Sequence, residues 1–173
     1  MADISADQGR LRPMITNDLE SVLRLRNHSE IRRYMFTQHE ISMEEHQSWF
    51  DRASQNANIE LLVLEISDAS CGFVQFKKTN YPGVVEWGFY VAPDAPKGTG
   101  KKLGLAALAH AYKKEGLHKV CGQALQWNQP SIEFHKSLGF MQEGILRGQH
   151  FDGAEYHDLI CFGIMRHEWL TKE

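Results

Sequence analysis

A chain of 173 residues suits one ordinary domain with a single core. Its 42% hydrophobic and 24% charged content is a globular balance that excludes a disordered chain. Nineteen Lys and Arg against 22 Asp and Glu leave a formal charge of −3, which removes any global electrostatic case for nucleic acid but not a local basic pocket.

In chain order, Met1 to Gly9 is polar and acidic and lacks the apolar stretch of a signal peptide. Residues 1–9 are expected to form a flexible amino-terminal arm ahead of a single domain over 10–173. Leu11-Arg12-Pro13-Met14 ends a short strand. Thr16 or Asn17 caps a helix with Asp18 and Glu20 in its first turn and an apolar stripe of Leu19, Val22, Leu23 and Leu25. After Asn27-His28-Ser29, Glu30 to Met35 reads as a second short helix. Ser42-Met43-Glu44-Glu45 is a capping box opening a helix with His46, Trp49 and Phe50.

Three strand-like runs follow, Ile59–Ile66, Cys71–Phe76 and Val84–Val91, with Tyr81-Pro82-Gly83 turning between the last two. Gly100–Glu115 has helical spacing at Leu105, Leu108, Ala109 and Tyr112, and Gly116 lies past its end. Val120–Leu125 is a strand, and Pro130–Leu138 a helix closed by Gly139. Two β-rich segments, Phe140–Phe151 and Glu155–Met165, surround a turn at Phe151-Asp152-Gly153. The order β-αα-α-βββ-α-β-α-ββ predicts an α/β (α+β) domain. It has a mixed, mostly antiparallel sheet of about seven strands with helices on both faces.

No apolar run approaches the ~20 residues a membrane span needs. Cys71, Cys121 and Cys161 sit in apolar segments without a C-x-x-C pair and leave an odd one over. They read as buried free thiols of a cytoplasmic protein. Among nine histidines, His39 and His46, and His150 and His157, are each seven apart, with no H-E-x-x-H. No metal is expected.

Val91-Ala92-Pro93-Asp94-Ala95-Pro96-Lys97-Gly98-Thr99-Gly100-Lys101-Lys102-Leu103-Gly104 carries the most chemistry. A strand ends, a loop turns on two prolines, and a glycine-rich stretch enters a helix. Gly98 and Gly100 let backbone N–H groups approach a ligand, the helix start adds a positive dipole end, and Lys97, Lys101 and Lys102 add charge. Together these suit a pyrophosphate. The spacing matches neither a Walker A loop nor G-x-G-x-x-G.

This loop resembles the [RQ]-x-x-G-x-[GA] loop of the Gcn5-related N-acetyltransferases, with Lys97 and Lys102 as departures. Downstream, Asn128-Gln129-Pro130-Ser131-Ile132-Glu133-Phe134-His135-Lys136-Ser137-Leu138-Gly139-Phe140 is similar to that family's N-x-x-[SA]-x-x-[FL]-Y-x-x-x-G-F. Pro130, Gly139 and Phe140 make sense as a capped helix alone; Asn128 and His135 do not. The resemblance implies that fold and acetyl-CoA as cosubstrate. It also implies a donor site of Tyr90, Val91, Lys97, Gly98, Thr99, Gly100, Lys101, Lys102, Leu103, Asn128, Ser131 and Phe134. Backbone N–H groups near Tyr90 and Val91 would hold the thioester oxyanion. His135 stands at the tyrosine acid position. With an ordinary pKa of ~6.5 against ~8.5 for a thiol, it would protonate the departing thiolate.

On the acceptor side, Leu25-Arg26-Asn27-His28-Ser29-Glu30-Ile31-Arg32-Arg33-Tyr34-Met35-Phe36 and Ile41-Ser42-Met43-Glu44-Glu45-His46-Gln47-Ser48-Trp49-Phe50 resemble a narrower group. These are the nucleotide-sugar N-acetyltransferases of pseudaminic acid biosynthesis, which feed flagellin glycosylation. That resemblance implies transfer to the 4-amino group of a UDP-linked amino-dideoxy sugar. Arg26, Lys77, Lys78 and His46 would face the diphosphate, and Met35, Phe36, Trp49 and Tyr90 the uracil or sugar. Glu86 and His46 are candidate bases, and a homodimer is open. One alternative acceptor is a protein amino terminus or a polyamine. Acidic acceptor loops would favour the polyamine, whereas this region is rich in Arg and His. A non-catalytic acyl-CoA-binding module is the other alternative.

Overall fold

A computed structural model gives the fold and describes residues 9–171, so all of the expected arm except Gly9 lies outside the described residues. The strands are β1 (Arg10–Pro13), β2 (Ile59–Ile66), β3 (Ala69–Lys78), β4 (Val84–Val91), β5 (Lys119–Leu125), β6 (Met141–Phe151) and β7 (Tyr156–Met165). They form one sheet in the order β1-β2-β3-β4-β5-β7-β6. β4 and β5 are parallel, while β1–β2, β2–β3, β5–β7 and β6–β7 are antiparallel. A parallel pair requires a crossover, supplied by α4 (Thr99–Tyr112). The expected sheet is therefore present.

The described residues fall into two compact units, 9–77 with 89–107, and 78–88 with 108–171. The first contains α1 (Leu19–Asn27), α2 (Ser29–Arg32) and α3 (Met43–Ser54). Met14, Leu19, Val22, Phe50, Ala53, Leu61, Val63 and Phe73 form its core. α3 begins where the capping box places it: Ser42 Oγ accepts from Glu45 N–H at 3.1 Å, and Glu45 accepts from Ser42 N–H at 2.9 Å. α1 starts later than Thr16 or Asn17 would place it, because Thr16–Asp18 forms a 3-10 turn. The carboxylate of Asp18 accepts from Ile15 N–H and from both Arg12 terminal nitrogens, each at 2.8 Å. α2 stops at Arg32, short of Met35, because Tyr34 and Met35 bond three residues back, to Ile31 and Arg32. Asn27 then clamps the connecting loop, donating to the Ile41 carbonyl at 2.7 Å and accepting from Ile41 N–H at 2.8 Å.

Burial pushes the Asp18 pKa up, but the Arg12 and Ile15 hydrogen bonds outweigh it and leave the carboxyl below its ordinary value. A depressed carboxylate contributes stability that is present above its unfolded pKa and lost as pH falls through the folded one. Asp18→Asn is expected to cost about 1–3 kcal/mol at pH 7. The gap from wild type in urea midpoint should close as pH drops below the carboxylate range.

The second unit holds α5 (Gln129–Leu138) and α6 (Arg166–Leu170). α6 was not expected. Glu168 accepts from Met165 N–H at 2.8 Å to start it, and Trp169 is buried against Tyr112, ring centroids 6.3 Å apart. α4 ends at Tyr112, not Glu115; the Tyr112 hydroxyl donates to the Ile164 carbonyl at 2.6 Å, fixing that end. The three cysteines are free thiols but half-buried, not buried. Cys121 and Cys161 lie on the sheet face of β5 and β7 opposite that of Gly122 and Phe162, as the register requires. Among the described residues no helix is long and apolar enough to cross a membrane.

Candidate active site

Within the first unit, β4 runs into the glycine-rich loop. Ala92 N–H bonds the Cys71 carbonyl at 2.8 Å, Ala95 N–H bonds Ala92 and Thr99 N–H bonds Pro96, each at 3.1 Å. Thr99, 2% exposed, donates from its hydroxyl to the Pro96 carbonyl at 2.7 Å, and Leu103 is equally buried. These bonds fix where α4 begins. Gly98 has φ +92°, and a Cβ there would meet nothing within 4 Å, so its outer side is open. Lys97, Lys101 and Lys102 are exposed around it. An open, cationic helix start of this kind is suited to a pyrophosphate. Gly72 on β3 also matters, and only a glycine inside a strand pattern signalled it. A Cβ there would sit 3.2 Å from Leu103 and 3.3 Å from the Tyr90 carbonyl.

The same unit brings Arg26, His46, Trp49 and Tyr90 together. His46, 4% exposed, stacks on Trp49 at 5.1 Å; Trp49 meets Phe73 edge-on at 5.9 Å, and Phe73 stacks on Tyr90 at 5.0 Å. Burial lowers the His46 pKa, the Leu19 carbonyl partly offsets this, and the Arg26 charge lowers it further. Arg26 donates to the Thr37 carbonyl at 2.7 Å. Its other terminal nitrogen, Nη1, is buried without a hydrogen-bond partner among the described residues, as is His46 Nε2. Burial lowers the Arg26 pKa and raises that of Tyr90, and each group pulls the other back. Met35 packs against the cluster of Leu25, Ile31 and Ala92, a core role, whereas Phe36 is 53% exposed. Lys77 is exposed at the end of β3.

In the second unit, Lys78 and Glu86 are exposed. Asn128 is the cap of α5, its Oδ1 accepting from Ser131 N–H at 3.2 Å, so a local structural role accounts for it. Gly139 at φ 91° closes the helix, and Phe140 N–H bonds the His135 carbonyl at 3.0 Å. Phe134 and Phe140 both stack on Trp87, at 6.2 and 5.0 Å.

His135 departs from expectation. It is 1% exposed, stacked on Phe162 at 4.7 Å and edge-on to Phe140 at 5.0 Å. Nδ1 lies 2.7 Å from the Ser131 carbonyl, and Nε2 accepts from the Trp87 indole N–H at 3.0 Å. Burial, partly offset by the Ser131 carbonyl, pushes its pKa down to about 4. The ring is therefore neutral near pH 7, and the ordinary imidazole pKa of ~6.5 does not apply at this site. Sequence reasoning missed Trp87 and Gly122, which build this environment. Far along the hairpin, ligand atoms of Asp152, Glu155 and His157 lie within 4.8 Å of one another. The Asp152 carboxylate there is occupied by the turn, accepting from Ala154 and Glu155 N–H and meeting His157.

Residues 10–141 match the acetyltransferase (GNAT) domain family. The chain is 24% identical to the spermidine N(1)-acetyltransferase of Escherichia coli K12 over 170 residues, 97% of this chain and 91% of that protein. It is 38% identical over 86 residues to the SPbeta prophage-derived uncharacterized N-acetyltransferase YokL of Bacillus subtilis, about half of each chain (48% and 49%). The structure of the spermidine N-acetyltransferase of Vibrio cholerae in complex with CoA and spermine superposes with a TM-score of 0.85 at 24% identity, covering 94% of this chain and 98% of that one. None of these names carries a nucleotide-sugar acceptor, so the narrower resemblance to the pseudaminic acid group gains no support from them.

Proposed function

We propose, from the premise that the chain belongs to the acetyltransferase (GNAT) family, that its acceptor is a polyamine of the spermidine class. The chain is an acetyl-CoA-dependent N-acetyltransferase. The observation that carries the acceptor is the match to a spermidine N(1)-acetyltransferase over 97% of the chain, through the acceptor-side helices as well as the donor loop. Charge in that region is compatible with it. Residues 17–54 hold seven carboxylates and five arginines, so the region is not the basic surface that its Arg and His content suggested. Glu30, Glu40 and Glu44 are exposed, and Arg32 is already paired with Glu40 at 3.5 Å. Exposed carboxylates are what a polycation needs.

In this reading the loop from Lys97 to Leu103 takes the pyrophosphate, and Asn128, Ser131 and Phe134 border the pantetheine. Backbone N–H groups near Tyr90 and Val91 hold the carbonyl oxygen as a neutral amine attacks. Transfer is direct, with no acetylated enzyme.

One observation favours a second reading, an amine on an anionic carrier such as a UDP-amino-sugar. The half-buried Arg26 has an unpartnered terminal nitrogen, which an anion would satisfy and a polycation would not. Thiol release from acetyl-CoA with spermidine, a UDP-linked amino sugar and an amino-terminal peptide separates these. Spermidine is expected to give the highest kcat/KM, by tenfold or more, and Glu44→Gln to reduce it. Preference for the UDP-sugar, lost in Arg26→Gln, would replace the first reading with the second.

A further inference from the structure

We propose that Trp87 is a positioning residue that holds His135 as a neutral ring protonated on Nδ1. The position where the resembled family carries a tyrosine acid is then a hydrogen-bond lock in this chain. The tautomer follows from what each neighbour can do. A carbonyl only accepts, so the nitrogen 2.7 Å from the Ser131 oxygen, Nδ1, carries the proton. An indole N–H only donates, so the nitrogen 3.0 Å from Trp87 Nε1, which is Nε2, presents its lone pair. Protonating Nε2 would set two N–H groups against each other in a site closed by Phe140 and Phe162.

Among the described residues, the titratable groups on the strands and helix packed on the ring are placed away from it. Glu86 on β4, Cys121 on β5 and Cys161 on β7 alternate to the opposite face of the sheet from Trp87, Gly122 and Phe162. On α5, Glu133 and Lys136 are exposed. The lock runs from β4 through the ring to the first turn of α5, the turn capped by Asn128. Its role is to hold that turn, not to move a proton.

The consequence for catalysis rests on the acetyl-transfer reading. When the amine nitrogen bonds the acetyl carbon and the carbon–sulfur bond breaks, the nitrogen sheds one proton and the thiolate takes one up. The His135 ring supplies neither proton, because its one N–H is held by the Ser131 carbonyl and its lone pair by Trp87.

The test is nitrogen NMR of the histidine rings in the full chain from pH 3.5 to 8.5, which needs no acceptor and so succeeds or fails independently of the polyamine assignment. His135 is expected to show a protonated Nδ1 and an unprotonated Nε2 at every pH above 6. In Trp87→Phe, loss of the donor to the neutral form should raise the His135 pKa by about one unit. A wild-type midpoint above pH 6 would overturn the proposal, and so would a Trp87→Phe titration identical to wild type. Should Trp87→Phe not fold, the wild-type titration decides alone.

Discussion

Gly122→Ala is expected to destabilise the protein by about 3 kcal/mol or more. A Cβ at Gly122 would meet three atoms: His135 Nε2 at 2.3 Å, Trp87 Nε1 at 2.7 Å and His135 Cδ2 at 3.0 Å. None belongs to a flexible side-chain end. The His135 ring is held by Phe162, Phe140 and its own bond to Ser131, and Trp87 by stacking on Phe140. Relief would require breaking the Trp87–His135 hydrogen bond inside the core, leaving a buried donor and acceptor unpaired. For a chain of this size the midpoint of thermal unfolding should fall by roughly 6–12 °C. The comparison that isolates the cause is the same substitution in a His135→Ala background. There the cost of Gly122→Ala should drop by at least half, because the nearest obstructing atoms are gone. Equal costs in the two backgrounds would mean that Gly122 is constrained by something other than this ring.

The parts of the molecule readable from sequence were those governed by local rules. Strand β2 follows from an apolar run of Leu, Ile and Val, β4 from its valines and aromatics, and α3 from a capping box whose two hydrogen bonds form as written. The α5 boundaries follow from Asn128, Pro130 and Gly139, each acting through backbone chemistry of its neighbours. What sequence did not disclose depends on pairs far apart in the chain. The start of α1 is displaced because Arg12 and Glu65, 53 residues apart, join in the buried Asp18 network. His135 looked like a proton donor because residue type and motif position carry no information on burial. Its neutrality comes from burial among residues remote in the sequence, Trp87 48 residues away and strands β5 and β7 beneath it. Asn128 is likewise explained by its bond to Ser131 N–H, which residue type alone does not disclose. By sequence, Arg26 and His46 read as neighbours of a ligand. Their unpartnered buried nitrogens make that a physical question about which acceptor satisfies them.

Gly98→Val is expected to raise the KM for acetyl-CoA by about 10–100-fold while leaving kcat at saturation within a few-fold of wild type. Gly98 sits at φ +92°, a conformation in which a β-branched residue is strained by about 1–2 kcal/mol or more. No atom lies within 4 Å of the Cβ position, so the penalty is one of backbone conformation and not of collision. The chain can escape it by turning φ negative. That rotation swings the peptide N–H groups of the loop away from the approach to α4, the direction from which a pyrophosphate would be held. Neither neighbour needs to move in the core, since Thr99 and Leu103 are anchored on the other side of the turn. Folding stability should therefore fall by less than about 2 kcal/mol, and Gly98→Ala should show the same pattern at smaller size. Thiol-release kinetics over a range of acetyl-CoA concentrations, paired with thermal melts, distinguishes the two roles. A melt lowered by many degrees with an unchanged KM would place Gly98 among the residues that shape the fold and remove the loop from the donor site.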